Sequence, residues 1–346
     1  MRNLRHINTG IRGEGNPASA QRRAAVFRRQ HEGNSSPSIG AAGIRLDSAN
    51  GRVKGIIPRL ITRTRELVGI LDSAREMARE NGADRATLRF FLPSFGSLEQ
   101  SGEGRELASF IRNFSGTANG YVNVVEGVLP FACEAGEMMM VYLAMNEPSR
   151  ISPKDVLLHE QGLRRIAETG LHAPVENGDY AIRSAQMGDV PSLVELYSVF
   201  TQYLISLNEE NVARMVESTP VLVATSSSSG KVVSALAAEH VAIEVEGAGT
   251  VHLIELSEAA TSPEHRGKNL CSIMARIFLE NVDADLGRLG VIAYAEARAA
   301  HPAPTRTFLQ AGGEIAGCLN KHCVLESERM SAEQGDFENL NVVQFR

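Results

Sequence analysis

The stretch SPEHRGKNLC, Ser262–Cys271, stands between VHLIELSEAAT (Val251–Thr261) and SIMARIFLENV (Ser272–Val282). A run of strand-forming residues stops at Pro263. Arg266, Gly267 and Lys268 follow, and then Leu270, Ile273, Met274 and Ile277 recur at helical spacing, which predicts a helix over 268–286. A helix start exposes unpaired N–H groups and a partial positive charge, which suits a phosphate. Arg266 and Lys268 add full charges, and Gly267 lets the backbone approach a ligand. The physical reading is a pyrophosphate site at a strand-to-helix junction. A plain charged turn is the alternative.

Outward from this junction the pattern alternates strands and helices. In the C-terminal part the order is strand YAIRSA, two helices from Asp189 to Ser218, and strands VLVATSS, VVSALAAEHVAIEV and TVHLIELSEAAT. After the junction helix come strand VIAYAEARA, helix TRTFLQAGG, strand EIAGCLN and a last strand in NLNVVQFR. In the N-terminal part, IRLDSANGRVKGII alternates around Asn50-Gly51, a hairpin signal. Leu60, Thr64, Leu67, Val68, Leu71, Ala74 and Met77 mark a helix that Gly82 stops. RATLRFFLP, GRELASFIRNFSG, YVNVVEGVLPF and GEMMMVYLAM then read as strand, helix, strand, strand. Met138, Met139 and Met140 are expected in the core.

The expected organisation is a basic disordered arm over 1–42, an N-terminal α/β domain over 43–150, a helical connector over 151–177 and a C-terminal domain over 178–346. The first forty residues hold seven arginines and two glutamates among Gly, Ser, Pro and Asn. Such an arm also has the flavour of an organellar transit segment, but it shows no clear amphipathic face.

Across 346 residues, 43% are apolar and 22% charged, with a net charge of −6, which fits a globular protein and argues against nucleic acid as the main partner. An arm that tethers nucleic acid remains a minor alternative, although it lacks interleaved aromatics. No apolar run is long enough to span a membrane. The cysteines at 133, 271, 318 and 323 are too scattered for a disulfide framework, so a cytoplasmic location is expected. Cys318, His322 and Cys323 match no common zinc spacing, and no metal is expected.

The order β-α-α-β-β-β-α-β-α-β-β over about 180–346, with P-x-x-R-G-K opening the central helix, resembles the GNAT superfamily of acyl-coenzyme A N-acyltransferases. That resemblance implies a mixed central sheet and acetyl-coenzyme A as co-substrate. It also implies a loop, with an R/Q-x-x-G-x-G/A pattern, whose backbone amides wrap the pyrophosphate. Arg266, Gly267, Lys268, Asn269, Leu270 and Cys271 would form that loop, with Asn269 and Cys271 standing where small glycine-type residues are common. Ala260 and Thr261 would offer backbone N–H groups to the thioester or pantetheine arm. Within the superfamily, IELSEAATSPEHRGKNL, AYAEARA, TFLQAGG, GCLNKH and ENLNVVQF are similar in order and spacing to β-lysine N-acetyltransferases. Thr305 and Gly313 depart from that pattern.

Acetyl transfer to an amine needs a base for the ammonium, and Glu255 and Glu258 are the candidates. Three residues apart on a regular strand, they would face opposite ways unless a bulge intervened. Leu309 occupies the place where the superfamily often has a tyrosine acid, so Tyr294 is the substitute, or else a core residue. Arg298 could read a substrate carboxylate or pair with a neighbouring glutamate. The N-terminal half repeats the alternation of the last part of such a domain and is expected to be a degenerate GNAT-like half that narrows the acceptor cleft without binding coenzyme. The expected function is acetyl transfer from acetyl-coenzyme A to a primary amine of a small molecule or amino acid, with a homodimer left open. The alternative is a catalytically impaired GNAT-fold protein that binds acyl-coenzyme A or a partner.

Overall fold

The computed structural model describes residues 43–151, 153–172, 178–198, 207–324 and 337–345. The expected basic arm, the loop at 173–177 and the end of the helix predicted through Leu204 lie outside these residues.

The N-terminal half runs β1 (Gly43–Asp47), β2 (Arg52–Leu60), α1 (Thr64–Glu80), β3 (Arg85–Pro93), α2 (Phe95–Leu98), α3 (Gly102–Arg112), β4 (Gly116–Ala118), β5 (Tyr121–Cys133) and β6 (Gly136–Asn146). A connecting helix, α4 (Pro153–Thr169), follows. The C-terminal half runs β7 (Tyr180–Ser184), α5 (Val190–Ser198), α6 (Glu209–Ser218), β8 (Val221–Ser226), β9 (Val232–Val245), β10 (Gly249–Thr261), α7 (Leu270–Asp285), β11 (Val291–Arg298), α8 (Pro302–Gln310), β12 (Glu314–Val324) and β13 (Phe337–Phe345). Apolar periodicity predicts most of these elements, because they bury a face; the four-residue α2 and the exposed three-residue β4 carry no such pattern. On α1, for example, Leu67, Leu71, Ala74 and Ala78 are buried, and Asn81 and Gly82 end the helix, Gly82 at φ +64°.

All thirteen strands join one sheet, ordered β1-β2-β3-β6-β5-β12-β13-β11-β10-β9-β8-β7, with β4 on β5. The ladder continues from the N-terminal half to the C-terminal half through Gly127 on β5 and Gly317 on β12. That crossing needs bare backbone. A Cβ on Gly317 would sit 1.9 Å from the Glu126 carbonyl oxygen. Both strands are bulged here, β5 between Val125 and Gly127 and β12 between Ile315 and Gly317.

The halves also face each other. Phe91, Leu129, Met138, Met140 and Tyr142 share one core with Ile243, Val251, Leu253, Ile292, Tyr294 and Val342. Alternate residues of β3 and β6 (Leu88, Phe90, Val141, Leu143) pack instead on α1 and α3. Strands covered on both sides lose simple polar alternation, and that is why RATLRFFLP and GEMMMVYLAM read as nearly continuous apolar runs. The three methionines are core residues, as expected, at 3%, 2% and 0% exposure. Two further backbone bonds tie the halves together. Leu60 N–H donates to the Glu246 carbonyl (2.8 Å), and Gly290 N–H donates to that of Ala132.

One topological fact bears on the N-terminal half. Its β2-α1-β3-α3-β5-β6 has the chain order and sheet order of β10-α7-β11-α8-β12-β13: a parallel pair, then the last strand inserted before the penultimate one.

Candidate active site

The site forms where two neighbouring strands part. β10 and β11 pair in parallel from His252–Val291 to Glu255–Tyr294. Beyond that pair β10 stays with β9, Ala260 opposite Ala235 and Thr261 opposite Ser234, while β11 runs on along β13 to Arg298–Leu340. Ala260 and Thr261 therefore have no paired residue on β11. α7 begins at this gap.

The loop ahead of α7 has the conformation an anion cradle requires. Gly267 has φ +75° and Asn269 φ +59°, ψ 20°, both left-handed. Asparagine tolerates that region better than most residues, which explains how it fills a glycine-type position. The first bond into the helix runs from Ile273 N–H to the Asn269 carbonyl (3.0 Å), so the N–H groups from Gly267 to Ser272 precede the helical ladder. Arg266 and Lys268 are exposed at the rim, and Leu270 anchors the helix in the core. Cys271 lies beneath the loop, its Sγ 3.3 Å from both Ser234 Oγ and Thr261 Oγ1. Burial pushes its thiol up, partly offset by those two hydrogen bonds.

The carboxylates line the face of β10 turned toward the N-terminal half. Glu255 stands opposite Glu239 on β9 and beside Tyr294 on β11. Tyr294 Oη donates to Glu255 Oε2 at 3.0 Å. Arg89, from β3, donates to Tyr294 Oη (3.0 Å) and to Glu296 Oε1 (2.8 Å), and its guanidinium lies 4.7 Å from the Tyr142 ring centroid. Burial first, then the Glu296 and Glu239 carboxylates, push Glu255 well above the ordinary carboxylate range; Arg89 and the Tyr294 hydrogen bond pull it partly back. The ladder shifts register between Ser257 and Ala260, and Glu258 has φ +46°, so a bulge does interrupt the strand. Glu258 then lies against Glu239 and Ser257, is raised by burial, and keeps Oε2 without a hydrogen-bond partner.

The remaining sequence-derived residues fall as follows. Tyr294 is fully buried but its hydroxyl joins the carboxylate network rather than apolar core. Arg298 pairs with Glu338, Nε to Oε2 at 2.6 Å, not with Glu255, Glu258 or Glu296. Glu239, Arg89 and Tyr142 escaped the sequence reading. A signal was there: charged residues at 85 and 89 recur on one face of an otherwise apolar strand, and Glu239 interrupts the apolar run of β9. Among the described residues no group of three or more His, Cys, Asp or Glu is placed to hold a metal ion, and no helix is long and apolar enough to cross a membrane.

Residues 181–300 match a family model described as an acetyltransferase (GNAT) domain. The matched segment, from β7 to the end of β11, is similar to that family and makes up about a third of the chain. No curated protein matches the chain. Among solved structures, a ribosomal-protein-alanine N-acetyltransferase from Brucella melitensis is 23% identical, covering 47% of this chain and 98% of its own, with a TM-score of 0.36. Arabidopsis thaliana NAA60 in complex with acetyl-CoA is 12% identical over 48% of this chain and 97% of its own, TM-score 0.38. A spermidine N-acetyltransferase from Vibrio cholerae is 12% identical over 49% and 94%, TM-score 0.37.

Proposed function

We propose that the protein transfers an acetyl group from acetyl-coenzyme A to a primary amine of a small molecule or amino acid. The observation that carries this reading is the parting of β10 and β11 immediately beyond Glu255–Tyr294, next to a left-handed loop that opens α7. The amides of Gly267 to Ser272, with Arg266 and Lys268, would hold the pyrophosphate. The open backbone at Ala260 and Thr261 would take the pantetheine arm and steady the thioester oxygen.

Glu255 is the proposed base. A carboxyl whose pKa is raised by burial is a stronger base than an ordinary carboxylate and, once ionised, can accept a proton from an ammonium as the amine attacks. Glu258, with one unpartnered oxygen, is the second candidate. Tyr294, bonded to Glu255, orients it and could relay a proton toward the sulfur. Leu309 supplies no acid, but a thiol with a pKa of about 8.5 leaves as a thiolate without much help. Arg298 would have to exchange Glu338 for a substrate carboxylate, which weakens its role as a reader and with it the finer proposal of a β-lysine acceptor. The topology shared by the two halves supports the proposal that 43–150 is a degenerate GNAT-like half, followed by the helical connector at 151–177 and the acetyltransferase domain at 178–346.

The test is release of coenzyme A thiol from acetyl-coenzyme A with lysine, β-lysine and spermidine as probe amines. Wild-type turnover should fall about 10²–10⁴-fold in Glu255→Gln. Acetyl-coenzyme A binding without turnover of any amine would favour the non-catalytic alternative, to which Leu309 and Cys271 lend support.

A further inference from the structure

The two halves do more than pack. Arg89 belongs to β3, two strands from the junction at Gly127–Gly317, yet its guanidinium reaches into the carboxylate network of the other half. There one Nη donates to Tyr294 Oη and the other to Glu296 Oε1, with Tyr142 against its face. Tyr294 in turn donates to Glu255. A tyrosine hydroxyl has one proton. With Arg89 donating to its oxygen, that proton is directed to Glu255.

We propose that Arg89 is a positioning residue for acetyl transfer: from the N-terminal half it fixes the Tyr294 hydroxyl toward Glu255 and supplies the cation that keeps the carboxylate cluster able to ionise. This rests on the acetyltransferase reading above. The residues facing Glu255 from each neighbouring element support it. Glu239 comes from β9, Tyr294 and Glu296 from β11, Arg89 from β3 and Tyr142 from β6. Behind Glu296 stands His322 of β12, at 3.7 Å, held neutral by burial and by Arg52, Arg85 and Arg89. Glu239 and Glu296 stand with Glu255 in this buried cleft, and Arg89 reaches Tyr294 and Glu296 there, so its loss removes a counter-charge from the cluster.

The direction follows. Without Arg89 the Glu255 carboxyl is raised further, and a base that must be ionised works only at higher pH. In Arg89→Met the acidic limb of the pH profile of kcat/KM should move up by about one unit, a loss of about tenfold on that limb that shrinks at alkaline pH. Arg89→Lys keeps the charge but not the fork, so its limb should stay near that of the wild type while kcat falls at every pH.

The measurement is thiol release from acetyl-coenzyme A with the best of the probe amines, across pH, for the wild type, Arg89→Met and Arg89→Lys. Carboxyl titration of the ¹³C-glutamate-labelled protein runs alongside, with Glu255→Gln assigning the resonance. A displaced limb in Arg89→Met, with the Glu255 resonance titrating higher, is the expected result. A uniform fall in rate with the limb and the resonance unmoved would make Arg89 a mere packing residue and overturn the proposal. If no amine turns over in the wild type, the acetyltransferase reading fails and the proposed catalytic role falls with it. The titration then reports only whether Arg89 holds the Glu255 charge.

Discussion

At Glu255, function and stability pull in opposite directions. Burial and neighbouring acids raise its folded-state pKa above the unfolded value, so the folded protein prefers the protonated form. Below the unfolded value the group costs nothing. As pH rises toward the folded value, the unfolded state loses its proton first and stability declines. Each unit of elevation costs about 1.4 kcal/mol once both forms are ionised. Glu255→Gln should therefore melt higher than the wild type at pH 8, by roughly 1–2 °C for each kcal/mol relieved, with the gap closing toward pH 4. Scanning calorimetry at the two pH values checks this. A variant less stable at pH 8 would show that the Glu255 charge is better solvated than its surroundings indicate. Arg298 shows a different limit at this scale. A planar fork at the end of a strand is equally suited to a ligand or to an internal carboxylate, and only the register of β13 brings Glu338 to it.

At the scale of elements, periodicity made nearly every strand and helix legible. The junction was legible for a chemical reason: RGKN needs left-handed backbone, and the residues that permit it are conspicuous. What stayed hidden were associations between distant segments. The join of β5 to β12 rests on Gly127 and Gly317, two unremarkable glycines within apolar runs. The seam beside it is held by Arg85, which binds Glu126 through both Nη groups (2.8 and 2.5 Å) and Asn146 Oδ1 (2.6 Å). Glu126 accepts in turn from the Asn320 backbone (2.9 Å) and side chain (3.1 Å) on β12. No local pattern shows that these charges meet, since they lie some forty to two hundred positions apart in sequence. Both ionic side chains are wholly buried. Arg85→Met should then cost about 3–5 kcal/mol by stranding Glu126, and Arg85→Met with Glu126→Leu should recover much of it. Denaturant unfolding of the single and double variants checks the pair. Equal loss in both would place the energy in packing instead of charge.

At the scale of the molecule, the continuous sheet and the shared core predict that the halves unfold together. Each half alone would bare a broad apolar face: Phe91, Met138 and Met140 on one side, Leu253, Ile292 and Val342 on the other. Residues 178–346 produced without 43–150 should be aggregation-prone and lack a cooperative transition, while the full chain unfolds in a single step by both fluorescence and circular dichroism. Two separated transitions would mean that the halves are independent domains. The same arrangement brings Arg89 and Tyr142 of the N-terminal half against Tyr294 and Glu296 of the other.

The most direct measurement is calorimetric titration of the protein with acetyl-coenzyme A beside a Gly267→Asp variant. Gly267 sits at φ +75° in the loop, so aspartate there brings both strain and a negative charge to the proposed pyrophosphate seat. Micromolar binding by the wild type, lost in the variant while its fold is retained, is the predicted result. Equal binding by both proteins, or none by the wild type at millimolar ligand, would contradict the assignment of this loop to the coenzyme.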